Sequence, residues 1–256
     1  MEKSKWKYYF EITMALARTD FKLRYHGSLL GYFWTLIKPL MIFGVLYTIF
    51  TLIMRFPVEH YQIYLLLGVI IWNFFAEGTQ FGLASIFSKA NLVSKVYFPR
   101  ILVVIASTVS ASITFILNFL VFIVFVIASD ISFSPSMLFF PFYLIALYFV
   151  ILGTSLILSV LYVRFRDLSH IWEIMLQIGF WFTPIFYTLD IVPVEYHRFF
   201  YLNPLARIIH YSRTIFLNAD IPAFKYNLIV LVFSVGILLI GYFIFKRLNK
   251  NLIEHL

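Results

Sequence analysis

Six long apolar runs, separated by short polar stretches, occupy most of this 256-residue chain. An α-helix needs about 20 consecutive apolar residues to cross the hydrocarbon core of a bilayer, which is roughly 30 Å thick. The six runs cover residues 31–54, 61–87, 101–128, 137–163, 168–187 and 226–245. Hydrophobic residues make up 62% of the chain and charged residues only 12%, which excludes a water-soluble domain. We therefore predict an all-α integral membrane protein, a single transmembrane domain over residues 1–256 with six transmembrane helices.

The distribution of lysine and arginine predicts which ends of these helices face the cytoplasm, because cytoplasmic flanks are enriched in both residues. With the N-terminus inside, the cytoplasmic set is Lys3, Lys5, Lys7, Arg18, Lys22, Arg24, Lys89, Lys95, Arg100, Arg164, Arg166, Lys246, Arg247 and Lys250. The outer set is smaller: Arg55, Arg198, Arg207, Arg213 and Lys225. Both termini are therefore predicted to be cytoplasmic, with residues 246–256 as a cytoplasmic tail.

Residues 1–27 carry too many charges for a signal peptide, since Lys5, Lys7 and Glu11 interrupt any apolar core. The apolar residues recur at helical spacing on one face: Trp6, Phe10, Met14, Ala17 and Phe21. This pattern predicts an amphipathic helix that lies in the plane of the membrane interface. Two interpretations remain, a plain lipid anchor and a helix that also contacts a partner, and we prefer the second.

Residues 188–225 are rich in aromatic and aliphatic side chains but also contain Asp190, Glu195, Arg207 and Arg213. So many charges are unfavourable in a continuous transmembrane helix. One interpretation is a pair of short re-entrant helices, around 199–205 and 208–217 and separated by Pro204 and Arg207, which dip into the outer leaflet and return. The other is an aromatic loop that lies flat on the membrane.

The chemistry of an enzyme is missing from the sequence. No glycine is followed by lysine, so the phosphate-binding loop of many ATPases cannot form, and the chain has no cysteine. No histidine is followed by glutamate, which excludes the common zinc-protease motif. We therefore predict that the chain is not an enzyme and holds no cofactor or metal. Its net charge of +8 is explained by membrane topology, so no nucleic-acid partner is expected.

Polar residues inside the predicted spans are expected to have a structural or functional role, because charge near the bilayer centre is unfavourable. Asn73, Glu77 and Gln80 recur at helical spacing in the second span. This stripe has three interpretations: it lines a pore, pairs between helices, or relays protons. Glu173 lies close to a cytoplasmic end and is expected to reach the interface. Lys38 either does the same or meets an anionic headgroup.

Several motifs occur in a fixed order between the six spans. They are RTDFKLRY at 18–25, SLLGYFW at 28–34, Lys38-Pro39, NLVSKVYFPR at 91–100, Arg166-Asp167, Thr183-Pro184 and Asn203-Pro204. With this spacing the chain resembles the permease subunits of ATP-binding-cassette exporters of polysaccharides and polyol phosphates. The resemblance extends over essentially the whole chain.

The resemblance implies that two copies of the chain pair to form a channel, and that two separate ATPase subunits bind ATP and magnesium. It places the ATPase contacts on the N-terminal helix and on the segment between the second and third spans. Those positions are Trp6, Phe10, Lys89, Asn91, Lys95, Val96, Tyr97 and Arg100. It also makes residues 188–225 an outer gate. Our channel and gate candidates are Asn73, Glu77, Gln80, Tyr187, Tyr196, Phe199, Tyr201 and Pro204.

The implied cargo is a polysaccharide on an undecaprenyl diphosphate carrier, moved across a bacterial inner membrane. O-antigen is the first expectation, with teichoic acid or capsular polysaccharide as the alternative. From charge alone, we expect the diphosphate to enter near Arg18, Lys22, Arg24 and Lys38. Abundant aromatic residues suit a sugar passage, since sugar C–H faces stack on rings. A membrane-embedded glycan transferase and a channel or proton-coupled carrier are the rival classes.

Overall fold

The computed structural model describes residues 2–25, 27–95 and 98–249. Every regular element among these residues is helical, which confirms the all-α prediction. The α-helices are α1 (Glu2–Tyr25), α2 (Trp34–Tyr47), α3 (Tyr61–Ser88), α4 (Ala90–Lys95), α5 (Ile101–Ala128), α6 (Phe140–Arg164), α7 (Leu168–Phe182), α8 (Val194–Leu202), α9 (Pro204–Leu217) and α10 (Phe224–Leu248). Short 3₁₀ turns at Gly31–Phe33 and Pro135–Phe139 lead into α2 and α6, and a π turn at Thr48–Ile53 continues α2.

Five helical segments of the described chain are long and apolar enough to cross a membrane. They are Gly31–Ile53, Tyr61–Ser88, Ile101–Ala128, Pro135–Arg164 and Phe224–Leu248. They agree with five of the six predicted spans to within a few residues. The protein is therefore a multi-pass membrane protein.

The fifth predicted span, 168–187, differs from the structure. Helix α7 has only 15 residues and ends at Phe182, so it is roughly 22 Å long. Thr183 is extended because it precedes Pro184, and a residue before proline disfavours the helical region. The prediction of a helix through Tyr187 is thus wrong at its C-terminal end. Six crossings remain a prediction.

Helix α3 lies at the centre of the bundle and packs against α5 and α6 on its two sides. Small residues allow this close approach. A Cβ atom on Gly78 would lie 2.6 Å from a side-chain carbon of Ile151 on α6, and Gly82 faces Ser155 in the same way. Small residues at such contacts are the usual basis of helix association in membranes.

Helix α10 packs against α6 on the far side of the bundle. The two helices meet at glycines, because a Cβ atom on Gly153 would lie 2.6 Å from the carbonyl oxygen of Ile237. Gly241 in turn faces the backbone of Gly153. Nearer the N-terminus of α10, the hydroxyl of Tyr143 donates a hydrogen bond to the side-chain carbonyl of Asn227.

The region 188–225 contains a 3₁₀ turn at Leu189–Ile191 and the two short helices α8 and α9. The side chain of Asn203 accepts a hydrogen bond from the backbone N–H of Leu205 at 2.9 Å and so caps α9. Pro204 occupies the first position of α9, where its missing N–H is harmless. The chain thus forms two short helices, but they are divided at Asn203 because this residue caps α9, and Arg207 lies inside α9 rather than between the helices. Their depth in the membrane stays a prediction.

Candidate functional site

A cleft of about 670 Å³ opens between α2, α3 and α7. Its polar lining comes from two helices that face each other: Asn73 and Gln80 on α3, and Glu173 and Gln177 on α7. The rest of the lining is apolar or aromatic: Met41, Ile42, Val45, Leu46, Ile49, Trp72, Ala76, Leu176, Phe180 and Trp181. The cleft therefore combines amide and carboxylate groups with broad ring surfaces.

Helix α7 forms one wall of this cleft, and two close contacts hold it against α3. The indole N–H of Trp172 donates to the hydroxyl of Thr79 on α3 at 3.1 Å. About two turns later on α7, and two turns earlier on α3, a Cβ atom on Gly179 would lie 2.8 Å from the ring of Trp72, so only glycine allows the observed packing. Helix α7 is thus anchored to α3 through these two contacts, whereas Ile171, Ile174 and Met175 on the same helix are exposed.

The polar stripe predicted on α3 divides between two surfaces. Asn73 and Gln80 line the cleft, whereas Glu77 does not. The carboxylate of Glu77 instead interacts electrostatically with Arg24 of α1 and Lys38 of α2. Glu77 therefore lies on a different surface from Asn73 and Gln80, and the role of each of the three residues stays a prediction.

Glu173 and Gln177 are cleft residues that the sequence analysis did not assign. Glu173 lines the cleft together with polar side chains of α3 and is exposed, and the expectation that it reaches the membrane interface stays a prediction. The available signal in the sequence was the i, i+4 spacing of Glu173 and Gln177, which places both side chains on one face of α7.

On the opposite side of the bundle, α1 lies along α5. The carboxylate of Asp20 accepts hydrogen bonds from the ammonium group of Lys89 at 2.7 Å and from the hydroxyl of Ser107 at 3.2 Å. Lys89 also lies 3.3 Å from the Ser107 hydroxyl. The side chains of Asp20 and Lys89 are only 15% and 16% exposed. This three-residue cluster, which we call the Asp20 cluster, joins α1, the end of α3 and α5.

The Asp20 cluster changes the expectation for Lys89, which was predicted to meet an ATPase. Its ammonium group points into the protein and is paired there. Arg100 is also engaged, since its guanidinium donates to the backbone carbonyl of Asn249 at 2.7 Å. Both cations therefore connect the segment around α4 to other parts of the chain.

Other predicted coupling residues lie at the surface. Trp6 and Phe10 are 75% and 64% exposed on α1. Asn91 and Lys95 are exposed on α4, whereas Val96 and Tyr97 lie outside the described residues. A cavity of about 600 Å³ lies next to these residues and is lined by Lys5, Tyr8, Tyr9, Phe98, Pro99, Arg100 and Asn249. Aromatic rings and cations thus surround one concave surface.

The four cations predicted to receive a diphosphate differ in their environments. Arg18, Lys22 and Lys38 are exposed. Arg24 is turned into the bundle, where its guanidinium stacks 3.3 Å from the ring centre of Phe81 and donates to Ser110 at 2.9 Å. Arg24 therefore has a structural environment that differs from that of the other three.

At the other end of the bundle, two adjoining cavities of about 480 and 520 Å³ share Phe182, Val192 and Phe200. Tyr187 lines the first cavity, and Tyr196 and Phe199 line the second. These three gate candidates are therefore brought together. Tyr201 is placed elsewhere, where its backbone carbonyl accepts a hydrogen bond from Arg207, and Pro204 begins α9.

Among residues 2–25, 27–95 and 98–249, no three histidine or carboxylate side chains lie close enough together to hold a metal ion. The cleft provides rings, amides and one carboxylate, and the opposite surface provides rings and cations.

Comparisons with known proteins agree with this description. A family model described as ABC-2 type transporter matches residues 11–217. The chain is 30% identical over 250 residues to an O-antigen export system permease protein RfbA of Klebsiella pneumoniae, with 96% of this chain and 95% of the relative covered. A second such protein of that species is 29% identical over the same share of each chain. One from Myxococcus xanthus is 26% identical over 248 residues, with 96% and 95% covered.

Proposed function

This chain belongs to the ABC-2 type transporter family, and from that premise we propose that it is the permease subunit of an exporter of O-antigen polysaccharide. The observation that carries the proposal is 30% identity, over almost the full length of both chains, to an O-antigen export permease. Three relatives are O-antigen export permeases, which favours O-antigen over teichoic acid or capsular polysaccharide. The permease would lie in the bacterial inner membrane and form a channel there with a second copy of itself.

The cleft between α2, α3 and α7 supports a polysaccharide as the cargo. Trp72 and Trp181 offer flat ring surfaces, and Asn73, Gln80 and Gln177 offer hydrogen-bond donors and acceptors. Sugars need both, because their C–H faces stack on rings while their hydroxyls require polar partners. In our proposal the clefts of two copies face a shared passage.

The proposed carrier of the polysaccharide is undecaprenyl diphosphate. Exposed Arg18, Lys22 and Lys38 are the described cations that could attract its headgroup at the cytoplasmic interface. We do not propose a direct contact between Arg24 and the diphosphate, because the guanidinium of Arg24 stacks on Phe81 and donates to Ser110.

The proposed partner is a separate ATPase, with two copies for each pair of permeases. The exposed rings of Trp6 and Phe10, together with the neighbouring cavity that contains Lys5 and Arg100, form a surface suited to an acidic and partly apolar partner. Lys89 would act behind this surface, by holding the α4 segment to α1.

The proposed orientation, with both termini in the cytoplasm, can be measured by cysteine labelling because the natural chain has no cysteine. A cysteine at Lys95 should react with an impermeant reagent only from the cytoplasmic side, and one at Asp130 or Glu195 only from outside. Labelling of Glu195 from the cytoplasm would mean that residues 168–187 do not cross the membrane. The six-span topology would then be wrong.

ATP hydrolysis is expected only in the presence of the partner. The purified permease should show no ATPase activity, because its sequence has no phosphate-binding loop, and activity should appear when the co-purifying ATPase is added. The control is the same assay with a partner that lacks its catalytic carboxylate. Turnover by the permease alone, or by the control assembly, would contradict the proposed division of labour.

A further inference from the structure

After α7 the chain continues without a helix through residues 183–187, yet Thr183, Pro184, Ile185 and Phe186 are all buried. Buried carbonyl groups outside a helix or sheet need other hydrogen-bond donors, since an unpaired one is unfavourable. In a membrane protein this requirement is stricter, because lipid offers no donors. The partners of these carbonyls therefore indicate what holds the segment in place.

Three side chains supply the donors for four consecutive carbonyls. Arg213 of α9 donates to Pro184 O at 2.7 Å and to Ile185 O at 2.5 Å. Tyr61 of α3 donates to Phe186 O at 2.8 Å, and Tyr64 donates to Tyr187 O at 2.8 Å. Residues 184–187 are thus bound by side chains from two different helices.

Arg213 also binds α3 directly. Its Nε donates to the carbonyl oxygen of Tyr64 at 3.0 Å, and its guanidinium carbon lies 3.4 Å from the centre of the Tyr64 ring. Gly68 provides the necessary space, since a Cβ atom there would lie 2.5 Å from Nη2 of Arg213. Arg213 is only 5% exposed. A single planar guanidinium therefore joins α3, α9 and residues 184–187, an arrangement that a lysine cannot reproduce.

The two short helices of the gate region differ sharply in how they are held. Nine residues of α9 are buried, and the helix packs against α3 and α6. None of the residues of α8 is buried, and Val194 at its start is 80% exposed. Asn203 lies between the two helices and donates to the hydroxyl of Thr183 at 3.2 Å. Arg207 of α9 also donates to the backbone carbonyl of Tyr201, near the end of α8. The anchored part of the region therefore begins at this junction, and the part of α8 before Tyr201 lies outside it.

We propose that Arg213 is a positioning residue that, with Tyr61 and Tyr64, fixes residues 184–187 and α9 to α3, so that the outer gate opens by movement of α8 against a fixed α9. The gating role rests on the proposed export function. The division into a fixed and a moving helix is a property of the fold, and it can be measured without export.

Hydrogen exchange of the full permease bound to its ATPase provides the test. In the natural protein, amides of α9 should exchange at least tenfold more slowly than amides of α8. Arg213→Lys keeps the positive charge but loses the planar fork, so amides of 185–187 and α9 should exchange about tenfold to a hundredfold faster. Arg198→Lys, the same change at an exposed position of α8, is the matched control and should alter nothing in α9.

Tyr64→Phe keeps the ring that stacks on Arg213 and removes only the hydroxyl bond to Tyr187 O. It should accelerate exchange near residue 187 several-fold even if Arg213→Lys does not assemble. Tyr242→Phe, at an exposed position of α10, is its control. Equal protection of α8 and α9 in the natural protein would overturn the proposal. Natural exchange rates at 185–187 in both Arg213→Lys and Tyr64→Phe would overturn it as well.

A functional readout separates positioning from a general effect on stability. Assembled Arg213→Lys should hydrolyse ATP at close to the natural rate but export several-fold less cargo per ATP. A residue that only stabilised the fold would lower both rates in parallel with the amount of assembled protein, and that result would contradict the proposal. If the natural assembly exports nothing while its exchange pattern is as expected, the export function fails and the positioning role of Arg213 is supported.

Discussion

Asp20→Lys is expected to abolish export, and the exchanged pair Asp20→Lys/Lys89→Asp is expected to restore much of it. In the single variant two ammonium groups would face each other in a site where the natural side chains are only 15% and 16% exposed. Removing one partner of a buried ion pair costs roughly 3 to 5 kcal/mol, and a like charge adds repulsion. The α4 segment would therefore separate from α1 and α5.

The measurement is export by cells that carry each variant, together with the amount of ATPase that co-purifies. Glu11→Lys is the matched control, because it is the same substitution on the same helix but in an exposed pair. Glu11 lies 3.9 Å from Lys7, and its side chain is 62% exposed. Such surface pairs contribute between 0 and about 1 kcal/mol. Full export by Asp20→Lys, or an exchanged pair no better than the single variant, would refute the role of the Asp20 cluster.

Gly241→Val is expected to remove most of the folded protein from the membrane. A Cβ atom at this position would meet the backbone of Gly153, whose carbonyl carbon and Cα would both lie 2.8 Å away. Backbone atoms in the middle of α6 cannot move aside, so α10 would have to shift as a whole. Overpacking a well-packed core typically costs 1 to 3 kcal/mol, and we expect about 3 kcal/mol or more at a contact between two backbones.

Gly236→Val is the control on the same helix, because nothing lies within 4 Å of a Cβ atom there. It should accumulate and unfold like the natural protein. Membrane yield and the unfolding temperature in detergent measure both variants. Equal yield and equal unfolding temperatures for the two valine variants would show that α6 and α10 do not pack through Gly153 and Gly241.

The long spans could be predicted from sequence because a membrane imposes a minimum length of apolar helix, and five runs meet it despite Lys38 in the first and Glu77 in the second. Residues 168–187 look similar in composition but contain Thr183-Pro184, which ends the helix after 15 residues. The chain then depends on Arg213, Tyr61 and Tyr64, whose partners there are backbone carbonyls. Every residue has a backbone carbonyl, so the sequence does not indicate which carbonyls accept these hydrogen bonds. The role of the three side chains therefore could not be predicted.

The candidate site was predictable in part for a similar reason. Asn73, Glu77 and Gln80 lie on one face by helical spacing, but that face borders two surfaces. Glu77 lies on the side of α3 where Arg24 and Lys38 act on its carboxylate. Asn73 and Gln80 line the cleft. Nothing in the sequence indicated that Lys89 has an acidic partner inside the protein, because Asp20 is 69 residues away along the chain. Such long-range pairings follow from the packing of α1 on α5, which no local pattern specifies.

Reconstitution provides the most direct test of the proposed export function. The permease and its ATPase are placed in proteoliposomes whose outer leaflet corresponds to the cytoplasmic side, and a lipid-linked O-antigen polysaccharide is added with ATP. We predict that polysaccharide becomes inaccessible to an added glycosidase only when permease, ATPase and ATP are all present. Protection that needs no ATPase, or its absence in an assembly that hydrolyses ATP, would contradict the assignment as an O-antigen export permease.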